Sequence, residues 1–237
     1  MSNNYFQFKQ FIVSQDKTAM KVGTDGVLLG SWAQIPNYGT ILDIGAGTGV
    51  VSLMLAQRFK DAKFLGVDIE KNASEQTRCN FFHSPFSPRL DAMNIDFKTF
   101  AENSSFRFDA FVCNPPFFKN SLDSRDLGRN FARQDNYLNL FELFSGCKKL
   151  GKDIFTITII FPYDRLNEIL ENANSNELYL KRQTNIYPKH NSKPNRVLIE
   201  LSNYFCDNIL NDLIIYENDK SYTDEFIDLV KDFYLNF

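Results

Sequence analysis

A chain of 237 residues with 43% hydrophobic and 23% charged residues can bury one sizeable α/β core, which excludes a disordered or fibrous chain. Apolar stretches such as Ile154 to Phe161 fall far short of the roughly 20 residues of a membrane span. The N-terminus is too polar for a signal peptide, and the four cysteines form no CxxC pair, so a cytoplasmic protein without metal or disulfides is expected. The net charge of −3 conceals an asymmetry, because eight acids against Lys220 and Lys231 from Asp207 onward leave residues 1–206 at +3.

In chain order, short apolar runs predict strands at Thr40 to Ile44, Lys63 to Asp68, about Leu90 to Asn94, Ala110 to Asn114 and Ile154 to Phe161. A helix carrying Val50, Leu53, Met54 and Phe59 follows the first strand. Phe117 to Asp135 is polar, without a clean period, and longer than an ordinary connection, which marks a functional or disordered loop. Next, Tyr137, Leu140, Phe141, Phe144 and Cys147 recur at helical spacing, with Lys148 and Lys149 suiting the C-terminal end and Gly151 expected to stop the helix in a left-handed conformation. Asp164 is expected to cap a helix carrying Leu166, Ile169, Leu170 and Ala173. Leu178 to Tyr187 and Arg196 to Phe205 follow without an intervening helix, so they should pair antiparallel and complete seven strands. Thr223 should cap a final helix with the stripe Phe226, Ile227, Val230, Phe233 and Tyr234. Strands alternating with helices imply an α/β fold, a parallel sheet with helices on both faces and the last two strands as an antiparallel pair.

The chemistry is concentrated where strands end. Asp43-Ile44-Gly45-Ala46-Gly47-Thr48-Gly49 closes the first strand and opens a helix. Its glycines are spaced G-x-G-x-G rather than the G-x-G-x-x-G of a dinucleotide loop, and Asp43 would repel a diphosphate but suit a cation. S-adenosylmethionine, with its sulfonium and ammonium groups, fits; a tight strand-to-helix turn would read similarly. Asp68 closes the second strand, where a carboxylate can accept from both ribose hydroxyls. Asp96 follows the third and can accept from an adenine amino group while Ile69 or Phe97 covers the ring; a capping role for Asp96 reads the same way.

Asn114-Pro115-Pro116-Phe117 follows the fourth strand. An exocyclic amine on a nucleobase is a weak nucleophile because its lone pair is delocalised, so two fixed acceptors that hold its N–H groups favour attack. The Asn114 side-chain oxygen and the Pro115 carbonyl are candidates, the prolines fix their geometry, and Phe117 offers a stacking face for an extruded base.

These motifs resemble class I S-adenosylmethionine-dependent methyltransferases of the Asn-Pro-Pro-Phe amino group. Phe6-Gln7-Phe8-Lys9-Gln10-Phe11, the stretch from Met20 to Ala33 containing Lys21-Val22-Gly23-Thr24-Asp25-Gly26, and Tyr222 to Leu235 are similar to bacterial tRNA(Val) adenosine-37 N6-methyltransferases. The resemblance covers the whole chain. It implies a seven-stranded Rossmann-like methyltransferase sheet in one domain of residues 1–237, with residues 1–38 folded over the cofactor and 206–237 as a C-terminal strand and helix elaboration. It implies S-adenosylmethionine as donor, tRNA as partner, and Lys21, Thr24 and Asp25 near the methionine end; a cap by Asp25 on a turn burying Val27, Leu28 and Trp32 is an alternative for that residue. Between Lys181 and Arg196 lie five basic residues and no acid. Lys189, Lys193 and Arg196, with Arg125, Arg129 and Arg133 of the long loop, are therefore expected to contact phosphates, though a solvated surface or pairing with Asp123, Asp126 and Asp135 is the competing reading. A guanine-N2 methyltransferase of ribosomal RNA shares the Asn-Pro-Pro-Phe pattern, a glutamine-N5 methyltransferase would more typically carry Tyr after the prolines, and a nicotinamide-dependent oxidoreductase is disfavoured by the glycine spacing and Asp43.

Overall fold

Strand and helix follow one another along nearly the whole chain in the computed structural model, which describes residues 3–115 and 139–236. An N-terminal antiparallel hairpin, β1 (Tyr5–Gln7) and β2 (Ile12–Ser14), precedes α1 (Thr24–Trp32). Then come β3 (Thr40–Ile44), α2 (Val50–Arg58), β4 (Lys63–Asp68), α3 (Lys71–His83), β5 (Leu90–Asn94), α4 (Phe97–Asn103) and β6 (Phe108–Cys113). After the undescribed segment follow α5 (Leu140–Leu150), β7 (Gly151–Pro162), α6 (Leu166–Ser175), β8 (Tyr179–Lys189), β9 (Arg196–Ser202), β10 (Ile209–Tyr216) and α7 (Asp224–Val230).

The main sheet runs β10-β8-β9-β7-β6-β3-β4-β5. The seven expected strands are present, with β8 and β9 antiparallel, and β10 adds an eighth at the edge, parallel to β8. Side-chain alternation divides the core into two layers. Ile41, Ala110 and Val112 pack with α1, α2 and α7, whereas Leu42, Phe111 and Cys113 pack with α4, α5 and α6. Asp43 shares the α2 face with Ile41 by this two-residue period, which is why its carboxylate is buried against that helix.

α3 has no simple apolar stripe to announce it. The inward face of α3 includes Ser74, Thr77 and Asn80, all buried, and Thr77 and Asn80 prove to brace a loop rather than fill a core. Three local expectations are corrected. Gly151 is extended, at φ −68° and ψ 147°, because α5 runs straight into β7 with no left-handed cap between them. Asp164 lies in a 3₁₀ turn, Tyr163–Arg165, one residue too early to cap α6. Asp25 sits inside the first turn of α1, since the helix begins at Thr24 and Gly23 is the cap. The caps of Thr223 on α7 and Asn139 on α5 are made through their side chains.

Candidate active site

The chain passes from β3 to β4 and β5 on one side, then returns to lay β6 on the other side of β3. Strand order therefore reverses at β3, and the crevice beyond the carboxyl ends of β3 and β6 is where ligands bind in open α/β sheets. Register aligns this edge: Ile44 pairs with Val67 and Cys113, and Asp68 with Asn94. The glycine loop and Asn114 thus emerge side by side.

Gly45, Gly47 and Gly49 all have left-handed backbones, at φ +71°, +60° and +78°. Their surroundings differ. Among the described residues a Cβ on Gly45 would meet nothing within 4 Å, whereas one on Gly49 would lie 2.6 Å from Phe81 Cε1. The first glycine thus leaves the crest open to a ligand, and the last allows α2 to seat against α3.

α3 holds this crest from behind. Thr77 Oγ1 donates to the Gly47 carbonyl at 2.8 Å, and Asn80 Nδ2 donates to the Thr48 carbonyl at 2.8 Å. Asn80 also exchanges two hydrogen bonds with the Ser14 backbone, tying the N-terminal hairpin to the same helix. Sequence reasoning missed both side chains; the available signal was the buried-type polar pair at i and i+3 after the Asp68 strand.

Asp68 has a double structural task. Its Oδ2 accepts from Gly47 N and its Oδ1 from Glu70 N, each at 2.9 Å, leaving lone-pair capacity on both oxygens. Burial raises its pKa against the lowering effect of those two amides. Asp43 is buried against α2: its Oδ2 accepts from Ser52 Oγ at 2.7 Å and from Ser52 N at 3.3 Å. Burial pushes this carboxyl up to about 6, partly offset by Ser52. Asp96 caps α4, accepting from Thr99 N and Oγ1 through Oδ2. Ile69 is half-exposed at the end of β4, while Phe97 is buried where α4 meets α5, its ring filling the space beside Gly146.

Asn114 lies one residue past β6, with Oδ1 buried and lacking a hydrogen-bond partner among the described residues. Such an acceptor costs stability unless something occupies it. Pro115 is half-buried beside it. Phe117, Arg125, Arg129 and Arg133 lie outside the described residues.

Residues 19–139 match the Methyltransferase small domain family. The chain is 40% identical over 236 residues to a tRNA1(Val) (adenine(37)-N6)-methyltransferase of Bacteroides fragilis, covering 99% of each chain. It is 41% identical over 236 residues to a protein of the same name from Phocaeicola vulgatus, covering 100% of each. The chain belongs to this methyltransferase family. Among solved structures, a predicted O-methyltransferase of Agrobacterium tumefaciens superposes with a TM-score of 0.68 at 19% identity, over 88% of this chain and 96% of that one. A geranyl diphosphate C-methyltransferase of Streptomyces coelicolor gives 0.54 at 14% identity, over 75% and 74%. Both likenesses concern the fold.

S-adenosylmethionine is the methyl donor this family implies, and the residues present fit it: a glycine crest that none of the described residues covers at Gly45, a carboxylate with spare acceptors at the next strand end, and an Asn114 oxygen with no partner among the described residues. Elsewhere in this family member, the expected basic surface is sorted by pairing. Lys181 and Arg182 both bind Glu200, which is 2% exposed, at 2.8 and 3.1 Å, and the Arg182 guanidinium lies 3.5 Å over the Trp32 ring. Those two cations therefore join β8 to β9 and α1. Lys189 and Lys193 are exposed at the β8–β9 turn, whereas Arg196 Nε donates to Asp25 Oδ2 at 2.9 Å. Lys21 Nζ donates to the Gln15 carbonyl, and Thr24 is exposed at the start of α1.

Proposed function

We propose that this protein methylates N6 of an adenosine in tRNA, with position 37 of a valine tRNA as the target, as in its relatives' names. S-adenosylmethionine supplies an electrophilic methyl group on a sulfonium. Asp68 accepts from the ribose hydroxyls through its remaining lone pairs, Asp96 accepts from the adenine amino group, and Ile69 covers the ring while Phe97 supports the helix that Asp96 caps. Gly45 and Gly47 let the donor approach the backbone, and Asp43 keeps a negative charge beneath that loop once ionised. Lys21 and Thr24, in the segment 1–38, adjoin the methionine end.

Asn114 Oδ1 carries the chemical argument. It is a buried acceptor with no partner among the described residues, at the strand end beside the glycine loop. An N–H of the target amine would satisfy it, and the Pro115 carbonyl would take the second N–H, so the nitrogen is held with its lone pair available. Phe117 stacks the extruded base. The proton leaves readily once the nitrogen carries the methyl group, so no strong base is needed. Lys189 and Lys193 contact RNA phosphates, and the reaction takes place in the cytoplasm. The whole chain works as one domain, with β10 and α7 as its C-terminal elaboration.

The test is incubation of purified protein with unmodified valine tRNA and labelled donor, followed by mass spectrometry of the nucleosides. N6-methyladenosine is the expected product. N2-methylguanosine from RNA, or methylated glutamine in protein, would replace this reading with one of its rivals.

A further inference from the structure

We infer that the Arg196–Asp25 ion pair is a positioning contact for Asn114: it holds the first turn of α1 against the asparagine amide, and Arg196 does this instead of binding an RNA phosphate. The inference rests on the function proposed above. Its first support is geometric. Arg196 Nε donates to Asp25 Oδ2 at 2.9 Å, with the side chains 31% and 27% exposed, and Arg196 Nη1 donates to the Asn195 carbonyl at 3.0 Å. The guanidinium is thus held by the residue just before β9 as it reaches the helix.

The residue after Asp25 supplies the link to the chemistry. A Cβ on Gly26 would lie 3.2 Å from Val50 Cγ1 and 3.9 Å from Asn114 Nδ2. The close approach that the glycine allows is to Val50, and the amide lies within ordinary van der Waals reach of the same position, so the first turn of α1 borders Asn114.

That turn needs an external hold. Its cap residue, Gly23, has no side chain to bond the first-turn amides, which also lack intrahelical partners. The far end of α1 is secured separately: Arg58 Nη1 donates to the Gly30 and Ala33 carbonyls, Arg182 Nη2 donates to the Trp32 carbonyl, and Trp32 Nε1 donates to Thr184 Oγ1. Arg196, 171 positions away in sequence, ties the near end to β9. Asp25 also suits the positive end of the helix.

The experiment compares Arg196→Ala, Arg196→Lys and the charge-swapped Asp25→Arg/Arg196→Asp with wild type. It reads hydrogen exchange of the amides of residues 24–27 without RNA, kcat at saturating tRNA, and the salt dependence of tRNA binding. Arg196→Ala should speed exchange and lower kcat about tenfold to hundredfold, the range that small misplacements of a catalytic group produce. Its salt slope should remain that of wild type. The swap re-forms the pair but sets a cation at the positive end of the helix, so it should recover part of the exchange protection and part of the kcat lost in Arg196→Ala, and Arg196→Lys, which keeps the cation and serves if the alanine variant does not fold, should stay within about threefold of wild type. Wild-type exchange or wild-type kcat in Arg196→Ala overturns the inference, as does a flattened salt slope or a swap that restores exchange without kcat. In the lysine variant, a flattened slope or a kcat loss beyond that range without faster exchange does the same. Absence of tRNA methylation by wild type would instead overturn the function, and the exchange measurement would still report on the pair.

Discussion

On the β3–β6 side of the sheet, Asp43, Asp68, Asp96 and Asn114 all sit within two residues of a strand end, and the three carboxylates bind amides or hydroxyls in adjoining loops or helix starts. On the β7–β10 side, Arg182 reaches Glu200 across 18 positions and Arg196 reaches Asp25 across 171. Residues of the first kind can be assigned from spacing, because the turn after a parallel strand places them with little freedom. Those of the second kind cannot, since a basic run has the same sequence whether its charges face RNA, water or a buried glutamate. Two of the five cations between Lys181 and Arg196 prove to secure β8 against β9 and α1, one joins Asp25, and Lys189 and Lys193 remain exposed.

The largest effect that would break this contrast is expected at Asn114. Asn114→Ala should reduce kcat by about 10²- to 10³-fold, as loss of a preorganised polar group does, with affinity for S-adenosylhomocysteine within about threefold of wild type. Single-turnover methyl transfer and calorimetry measure the two quantities. Substantial turnover in the variant would remove Asn114 from the chemistry.

Asp43 sharpens the comparison from inside the first region, because its burial shifts a titration rather than supplying a ligand contact on Oδ2. Its folded pKa, about 6, lies above the ordinary 3.8, so the native state holds the proton more tightly. The associated stability is complete below about pH 4 and is lost as pH rises through about 6, amounting to about 3 kcal/mol. Asparagine at this position can still accept from Ser52 without titrating. The unfolding free energy of wild type relative to Asp43→Asn should therefore fall by most of that amount, about 2.4 kcal/mol, between pH 4 and pH 7 in urea titrations. A pH-independent difference would show that the carboxylate is not held as the structure places it.

The smallest effect belongs to the second region. Neutralising Lys189 and Lys193 together should weaken tRNA binding and flatten its log–log salt slope by roughly 0.7 to 0.9 for each phosphate that the variant no longer neutralises. Binding measured across a range of salt concentrations would assign both lysines to the solvated surface if the slope were unaltered.

By itself, the sequence determined the parallel sheet, the bounds of β3, β4 and β5, and the acids and asparagine at strand ends, because short apolar runs closed by Gly, Asp or Asn leave little choice of register or turn. It also marked the basic run but not its use. Tertiary structure alone decided that Thr77 and Asn80 brace the glycine loop, that Gly151 starts a strand rather than ending a helix in a left-handed turn, that β10 extends the sheet beside β8, and that Arg196 joins Asp25. Each of these depends on which distant group comes within hydrogen-bond or ladder distance. Local propensity does not specify that, because a threonine, a glycine or an arginine has several partners of similar energy until packing leaves only one in reach.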